Sequence, residues 1–465
     1  MATNGGLTRR LAEFYAALDY ESLPPQVIDR AKYFCLDYLG TAIRGSLIPS
    51  AQVMSGVVGA LGAGGDSVIM GTSLQATPEY AALANGTAAH SLELDDVSNS
   101  SSSHPAVATF PAAFASADME VVSGSQLITA VTAGYDLMIR LGMALDPSKH
   151  YARGFHPTAT CGTFGAALVA SRLLRLDAGQ TTWALGIAGS QAAGSLEFLA
   201  QGAWTKRMHP GWAAHSGMIA AHLAKAGFIG PTTIFEGRDG FLHGYTDGAD
   251  ASKLTQELGD VYHISKVSIK PHACCRYKQG PIDALLEVVR QHDVNPEEVD
   301  SVTVGVLKAG FNVVAEPREQ KLNPQNIVDA QFSMPFGAAL AILYRRASLE
   351  EYTEENLERP EIKELMSRVE CVQDPALDAR YPSRWPAWGE VKTRDGRSFR
   401  AEVEYPRGDP ENALTWDEVK DKFRVLTVPV ISPQTQEKIV DAVDSLEQME
   451  DVRVLARMAA VSSSG

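Results

Sequence analysis

Positive charge, thiols and imidazole are concentrated in one short stretch, SIKPHACCRYKQGPID at residues 268–283. Lys270 and Arg276 stand on either side of the adjacent pair Cys274 and Cys275. The adjacent cysteines lack the two-residue spacer of a C-x-x-C motif, which argues against a zinc, iron–sulfur or dithiol site and favours small packed thiols. The two cations suit the carboxylates of a small polyanion, and a lysine crowded by other cations can also become a base.

A second candidate stretch, HSLELDDVSNSSSSHPA, places three carboxylates where a helical pattern ends: Glu93, Asp95 and Asp96. Negative charge at a helix C-terminus opposes the helix dipole, so local stability does not explain these residues. His104 follows after a polar loop. A solvated acidic turn is one alternative, and a hard-metal site is another, although the spacing matches no calcium loop.

Two further stretches carry imidazoles and cations. In YARGFHPTATCG, His156 and Thr158 precede a helix rich in glycine and alanine, and a helix start of this kind suits either an anion or a simple cap with a packed histidine. GAWTKRMHPGWAAHSG adds Lys206, Arg207 and His209 among tryptophans. The alternative for Lys206 is an exposed ammonium whose stem lies along the tryptophans.

Composition excludes several classes of function. A net charge of −15 argues against nucleic acid or an anionic membrane as the main partner. We expect no secretory signal and no membrane span, and the five scattered cysteines favour free thiols in the cytoplasm. The chain shows no P-loop, dinucleotide-binding glycine motif, H-E-x-x-H or G-x-S-x-G, which leaves acid–base chemistry without a metal or cofactor on a carboxylate substrate.

The elements that must position these residues fall into two kinds. Residues 7–265 read as successive helices, whereas 299–307 and 389–406 alternate apolar and polar residues as strands do. The second alternating stretch surrounds an Asp395-Gly396 pair, which predicts a two-residue hairpin turn. Helical patterns between these strands indicate a small α+β unit, and 432–460 is helical again. We therefore predict a helical domain from 1–268, an α+β domain from 269–408 and C-terminal helices from 409–465 that rejoin the first domain.

In their order and spacing these motifs resemble the MmgE/PrpD family, whose members include 2-methylcitrate dehydratase, cis-aconitate decarboxylase and iminodisuccinate epimerase. The resemblance rests on ELDD with its following HPA, GFHPTATCGTFGAA, TKRMHPGWAAHSG, IFEGRDGF and IKPHACC. It implies a homodimer of subunits that are mostly α, each with a large all-helical domain and a smaller α+β lid, and an active cleft at the domain junction.

The resemblance also implies a set of site residues: Glu93, Asp95 or Asp96, His104, His156, Lys206 and Lys270. Three positions depart from the residues usual in family decarboxylases. Glu93 stands where an aspartate is common, Val97 where a polar residue is common, and Phe336 near an expected tyrosine.

Our hypothesis is a cofactor-independent lyase, a dehydratase or decarboxylase, acting on a carbon next to a carboxylate of a small di- or tricarboxylate. Lys206, Lys270 and Arg276 would bind carboxylates and lower the cost of negative charge on that carbon. The other expected substrate-binding residues are Glu93, Asp95, Thr158, Arg207 and His209. The alternatives are an epimerase of a dicarboxylate, or a family member that binds a metabolite without turnover.

Proton transfer in this hypothesis falls to a few groups. His156 or Lys270 would move the proton on the carbon, and His104, oriented by Asp96, would act as the acid. Tyr151 would supply a second group if the reaction is an epimerisation.

Overall fold

The computed structural model describes residues 6–461 of the 465-residue chain. Contacts between Cα atoms divide these residues into two compact units. The first unit contains 6–91, 95–267 and 415–461, and the second contains 92–94 and 268–414. The division made from sequence lies at 268 and 408 and does not place 92–94 in the second unit. Those residues contact the second unit because the Gln331 Nε2 group donates a hydrogen bond to the Leu92 carbonyl at 3.0 Å.

Helices account for most of the ordered elements. In chain order the α-helices are α1 Leu7–Ala17, α2 Pro25–Gly45, α3 Pro49–Leu61, α4 Pro78–His90, α5 Ala106–Ala117, α6 Gly124–Leu145, α7 Pro147–Ala152, α8 Pro157–Leu173, α9 Ala178–Gly189, α10 Thr205–Lys225, α11 Phe241–Gly244, α12 Arg276–Gln291, α13 Lys308–Val314, α14 Arg318–Leu322, α15 Ile327–Gln331, α16 Met334–Tyr344, α17 Glu354–Glu358, α18 Pro360–Ser367, α19 Pro375–Asp378, α20 Trp416–Thr427, α21 Pro433–Asp444 and α22 Arg453–Met458. The strands are β1 Ser67–Val68, β2 Gln75–Ala76, β3 Val97–Ser98, β4 Val267–Ser268, β5 Val299–Val306, β6 Val369–Gln373, β7 Ala387–Thr393 and β8 Ser398–Val403. The prediction of a mostly helical chain with a smaller α+β unit is confirmed.

Helices of the first unit begin at residues whose chemistry suits a helix start, although α8 begins at Pro157 and so includes Thr158, which we predicted to precede it. Proline occupies the first turn of α2, α3, α4 and α8, where its missing N–H removes no intrahelical bond. Ser123 and Asp177 form capping boxes with the glutamines three residues later, at the starts of α6 and α9. Local chemistry therefore sets where these helices start.

Glycines set how closely three of these helices pack. A Cβ atom on Gly211 of α10 would lie 2.2 Å from the Leu83 carbonyl oxygen of α4, and one on Gly217 would lie 2.5 Å from the Ala167 nitrogen of α8. No larger residue fits at either position, so α10 packs backbone to backbone on both neighbours. These contacts fix the middles of α4 and α8 against α10, and the candidate imidazoles lie on or beside the same three helices.

The second unit contains a four-stranded sheet in the order β6-β5-β7-β8, in which only the β5–β6 pair is parallel. Strands β7 and β8 form the predicted hairpin, but its turn differs from the prediction. The Thr393 N–H donates to the Arg397 carbonyl at 2.9 Å, which leaves three residues in the loop, with Gly396 at φ 86°. Three-residue loops of this kind need a residue in the left-handed region, and glycine adopts it without strain.

One helix of the first unit is both long and apolar. Helix α6 spans 22 residues with a mean hydropathy of 1.2 over its most apolar window, which is long and apolar enough to cross a membrane. Of that window, 94% is buried inside the protein. Helices in the core of a globular protein can be this long and apolar, and the burial of α6 is that of a core helix.

Candidate active site

The candidate site of the first unit lies toward one end of each of the three helices that pack through these glycines. His90 is the last residue of α4, His156 is the N-cap of α8, and His209 lies in the second turn of α10. The loop after α4 adds Asp95 and His104. We call these five residues the histidine cluster. Four of them are almost wholly buried, and the His104 side chain retains 12% exposure.

A single carboxylate organises two of the imidazoles. Asp95 Oδ2 lies 2.7 Å from His90 Nδ1 and 3.0 Å from His104 Nδ1. His104 Nδ1 also lies 2.6 Å from the Asp96 carbonyl oxygen. Both neighbours of His104 Nδ1 are acceptors, so this nitrogen carries the proton and Nε2 is the atom that gains or loses one. His104 is thereby set as a proton carrier with a defined reactive atom.

The carboxylate that orients His104 differs from the one predicted. Both carboxylate oxygens of Asp96 accept a hydrogen bond from the Ala106 N–H, at 3.0 and 3.3 Å, at the start of α5. Burial raises the pKa of Asp96 well above its ordinary value. Asp96 therefore anchors a helix start and offers His104 only its backbone carbonyl, while Asp95, expected to bind substrate, takes the orienting role.

His156 and His209 form a second imidazole pair. Their Nδ1 atoms lie 3.1 Å apart, so one nitrogen donates and the other accepts. Burial, together with the neighbouring imidazole of His90 and the ammonium of Lys206, lowers the pKa of His209 to about 4. Burial and then His209 lower the pKa of His156 well below its ordinary value. Both rings are therefore neutral near pH 7, and His156 acts as a neutral base or donor.

The same logic applies to His90. Burial lowers its pKa to about 4 despite the opposing effect of Asp95. Its Nδ1 donates to Asp95, so its Nε2 is unprotonated, and that buried nitrogen has no hydrogen-bond partner. Sequence reasoning missed His90. The usable signal was its position on the helix turn directly before the acidic residues, where a side chain can reach back to one of them.

The remaining predicted residues of the first unit lie around this cluster. Thr158 Oγ1 accepts the His104 N–H at 3.2 Å, which fixes the backbone of that residue. The Tyr151 hydroxyl lies 3.4 Å from the Ser102 carbonyl, on the loop that leads to His104. Arg207 is buried and donates to Ser50 Oγ at 3.1 Å. Lys206 is 7% exposed, and its charge acts on His90, His156 and His209.

Three members of the cluster also have the composition of a metal site. The ligand atoms of His90, Asp95 and His104 lie within 4.8 Å of one another. Two imidazoles and a carboxylate suit zinc or another transition metal. The distances from Asp95 Oδ2 to the two imidazole nitrogens are those of hydrogen bonds. A proton on the Nδ1 atom of each ring therefore accounts for the arrangement.

In the second unit, the predicted Lys270 lies opposite Glu93. Lys270 is 1% exposed and its Nζ lies 3.8 Å from Glu93 Oε2. Glu93 adopts φ 56°, a left-handed conformation uncommon for this residue type. Gln331 holds the preceding residue through its bond to the Leu92 carbonyl, and Gln331 itself is 1% exposed. Sequence reasoning missed Gln331, because no local pattern links it to residues so distant in the chain.

Two other cations from residues 268–283, Arg276 and Lys278, have partners inside the second unit. Arg276 Nη2 lies 2.7 Å from both oxygens of Asp409, and its guanidinium lies over Trp385. Lys278 is fully buried and donates to the Ala330 carbonyl at 2.9 Å and to the Tyr352 hydroxyl at 3.1 Å. These contacts give Arg276 a structural role that the prediction of carboxylate binding did not include. The five cysteines are free, as predicted.

Comparison with known proteins gives two matches to family models that together extend over most of the chain. The MmgE/PrpD N-terminal domain matches residues 9–254, and the MmgE/PrpD C-terminal domain matches residues 272–448. The two matches meet close to the point where the helical first unit gives way to the α+β unit.

Curated relatives are similar along their whole length. A cis-aconitate decarboxylase-like protein, oryM, of Aspergillus oryzae is 27% identical, over 97% of this chain and 96% of its own. The cis-aconitate decarboxylase of Aspergillus terreus is 26% identical over the same shares. The human cis-aconitate decarboxylase is 26% identical, over 97% of this chain and 94% of its own.

Proposed function

This chain belongs to the MmgE/PrpD family, and on that premise we propose that it is a lyase acting on a small di- or tricarboxylate. Its relatives are decarboxylases, so we place loss of carbon dioxide before loss of water. One observation in this molecule carries the proposal. His104 has its Nδ1 proton held by Asp95 and the Asp96 carbonyl, and so presents Nε2 as the group that transfers a proton.

The proposed decarboxylation needs only groups of this chain. The bond between the substrate carbon and one carboxylate breaks, carbon dioxide leaves, and the electron pair remains on the carbon and spreads into a second carboxylate. Protonated His104 then delivers its Nε2 proton to the carbon skeleton, and it recovers a proton from water. Asp95 stabilises the imidazolium before the transfer.

Lysine charge lowers the barrier to this step. Lys206 and Lys270 are both almost wholly buried, where an ammonium acts on developing negative charge more strongly than it would in water. We propose that Lys206, in the unit that holds the histidine cluster, binds a carboxylate of the substrate, and the same role for Lys270 stays a prediction from the sequence. We do not assign that role to Arg276, because Asp409 already neutralises its guanidinium through two close contacts.

Loss of water is the closest variant of this chemistry. A neutral base takes the proton from the carbon, and a protonated group helps hydroxide to leave as water. His156 suits the first task because it is neutral, and His104 suits the second.

The experiment is incubation of the full chain in D₂O with cis-aconitate, citrate, 2-methylcitrate and iminodisuccinate, followed by NMR and by measurement of released carbon dioxide. We expect carbon dioxide from an unsaturated tricarboxylate and one new carbon-bound deuterium in the product. Exchange with inversion and without loss of any group would identify an epimerase. Saturable binding with neither product nor exchange would show a protein that binds without turnover.

A metal-dependent hydro-lyase is tested in the same assay. We expect turnover to survive a chelator and to require no stoichiometric metal by elemental analysis. Activity that disappears with EDTA and returns with zinc would assign His90, Asp95 and His104 as ligands instead.

We also propose that the enzyme is a homodimer, since the resemblance found in the sequence implies one. Light scattering coupled to size exclusion checks this, and a single 50.0 kDa species at micromolar concentration would contradict it.

A further inference from the structure

We propose that the substrate acid carries an apolar substituent and that a pocket beside His209 binds it. This inference rests on the proposed function and names the class of acid more narrowly. The pocket has a volume of about 700 Å³ and is lined by the segment between α9 and α10 and by the first three turns of α10. It belongs wholly to the first unit.

The pocket is continuous with the histidine cluster. His209 lines the pocket and also forms a hydrogen bond with His156, with their Nδ1 atoms 3.1 Å apart. Phe198 lines it too, and the edge of this ring faces both imidazoles, with centroids 6.2 Å from His156 and 6.0 Å from His209. A ligand that contacts the imidazole pair therefore reaches the pocket directly.

The lining selects against a carboxylate. Phe198, Met208 and Trp212 supply its large apolar side chains, beside three alanines and a glycine. The described lining also has neutral polar groups and one glutamate, but no lysine or arginine. An anion placed there would lose its hydration and gain no cation. An uncharged apolar group would lose water and gain contacts.

Exposure of large apolar side chains supports the same conclusion. Trp212 is 41% exposed, and nearby in sequence Leu199 is 50% and Trp204 is 48% exposed. Such a patch around a concave site is typical of a binding surface. Pockets for drug-sized ligands, which are larger than a bare tricarboxylate, have volumes of roughly 300–1,000 Å³. The volume of this pocket lies within that range.

The test is a chain-length series: cis-aconitate and its derivatives that carry an unbranched alkyl group from methyl to hexyl. We expect KM to fall about fourfold for each added methylene until the pocket is full. The kcat value should change little, because the alkyl group binds equally in the ground and transition states.

Two variants locate the effect. Ala203 is exposed and lines the pocket, so Ala203→Phe fills part of it without disturbing the core, and it should abolish the dependence of KM on chain length. Trp212→Ala should weaken that dependence by removing one wall. Ala17→Phe, at an exposed position at the end of α1, is the matched control and should keep the full dependence.

The outcomes separate this inference from the proposed function. Turnover of cis-aconitate with a KM that is flat or rises along the series overturns the pocket assignment and leaves the lyase proposal intact. If Trp212→Ala dissociates a dimer by light scattering and leaves the chain-length dependence unchanged, the patch is a subunit contact and the inference fails. Absence of turnover and exchange with every acid overturns both.

Discussion

The two units bury ionisable groups in opposite ways. The histidine cluster of the first unit holds imidazoles that burial keeps neutral, around one carboxylate. The second unit holds what we call the lysine cluster, Lys270, Arg276 and Lys278, and each of these cations has a partner built beside it. Neutral imidazoles can exchange protons near neutral pH, whereas Lys270 and Arg276 lie beside carboxylates that balance their charge. This difference is our reason for proposing that the first unit performs proton transfer.

The largest effect should come from removing the reactive nitrogen of the histidine cluster. His104→Asn keeps a donor near the Nδ1 position and removes Nε2, so the hydrogen bonds to Asp95 and the Asp96 carbonyl survive. We expect kcat/KM for the best acid to fall about 10³- to 10⁴-fold with little change in the melting temperature. Lys278→Met, in the lysine cluster, is the contrast, and its kcat/KM should stay within about tenfold of the wild type. Equal losses would erase the functional distinction between the two units.

Next in size is the effect of the carboxylate that sets the His104 tautomer. Asp95→Asn lets an amide donate toward Nδ1, which moves the proton to the wrong nitrogen, and we expect kcat/KM to fall about 10²- to 10³-fold. Asp96→Asn still accepts the Ala106 N–H and should cost less than about fivefold. Steady-state kinetics of the pair decides, and the reverse order would restore Asp96 as the orienting residue.

Stability in acid is the third test, and it concerns the first unit. The pKa of His90 is about 4 in the folded chain against 6.5 ordinarily, so the unfolded chain binds the extra proton between these values. The contribution of His90 to the free energy of unfolding is therefore fully present above pH 6.5. About 2–3 kcal/mol of it is lost as the pH falls toward 4. His90→Asn keeps a donor to Asp95 and cannot titrate. Urea unfolding at pH 7 and pH 4.5 should show a smaller loss for this variant, and parallel losses would contradict the neutral buried imidazole.

The smallest effect lies at the alkaline end and concerns the second unit. Burial lowers the pKa of Lys278 to about 8 from 10.5, so the unfolded chain binds the extra proton above pH 8 and stability rises with pH there. Lys278→Met should lack about 2 kcal/mol of that rise between pH 8 and 9.5. Burial raises the pKa of Cys274 to about 11, an opposing effect that both proteins share. The measurement is therefore the difference in the free energy of unfolding between wild type and variant at each pH. A difference that does not change with pH would show that the Lys278 ammonium does not titrate in this range.

Features that depend on residues close together in the chain were more predictable from the sequence than features that depend on distant residues. Helix starts at Pro25 and Ser123 depend on a few neighbouring residues, and helical patterns were readable there. Helix α8 begins earlier than predicted, at Pro157, and so includes Thr158. The strands β7 and β8 were equally readable, but their turn has one residue more than predicted, because the choice among loops with Asp-Gly depends on how the strands pair.

Residue roles were less predictable than residue identities. His104 and His156 were recognisable as chemical groups, yet their partners Asp95 and His209 became clear only in the fold. Asp95 and Asp96 are neighbours of one type, and only the direction of each side chain assigns one to His104 and the other to the start of α5. His90 and Gln331 were missed for the same reason.

The amino-acid sequence by itself determined the helical character of this protein, its division into two kinds of structure, its family and most of the residue types available for chemistry, because these depend on local patterns and motif order. The tertiary structure decided which carboxylate meets which imidazole, which nitrogen carries the proton and which cations are already neutralised. Those properties depend on distances of about 3 Å between side chains far apart in the chain, and hydrogen bonds and desolvation change steeply over such distances.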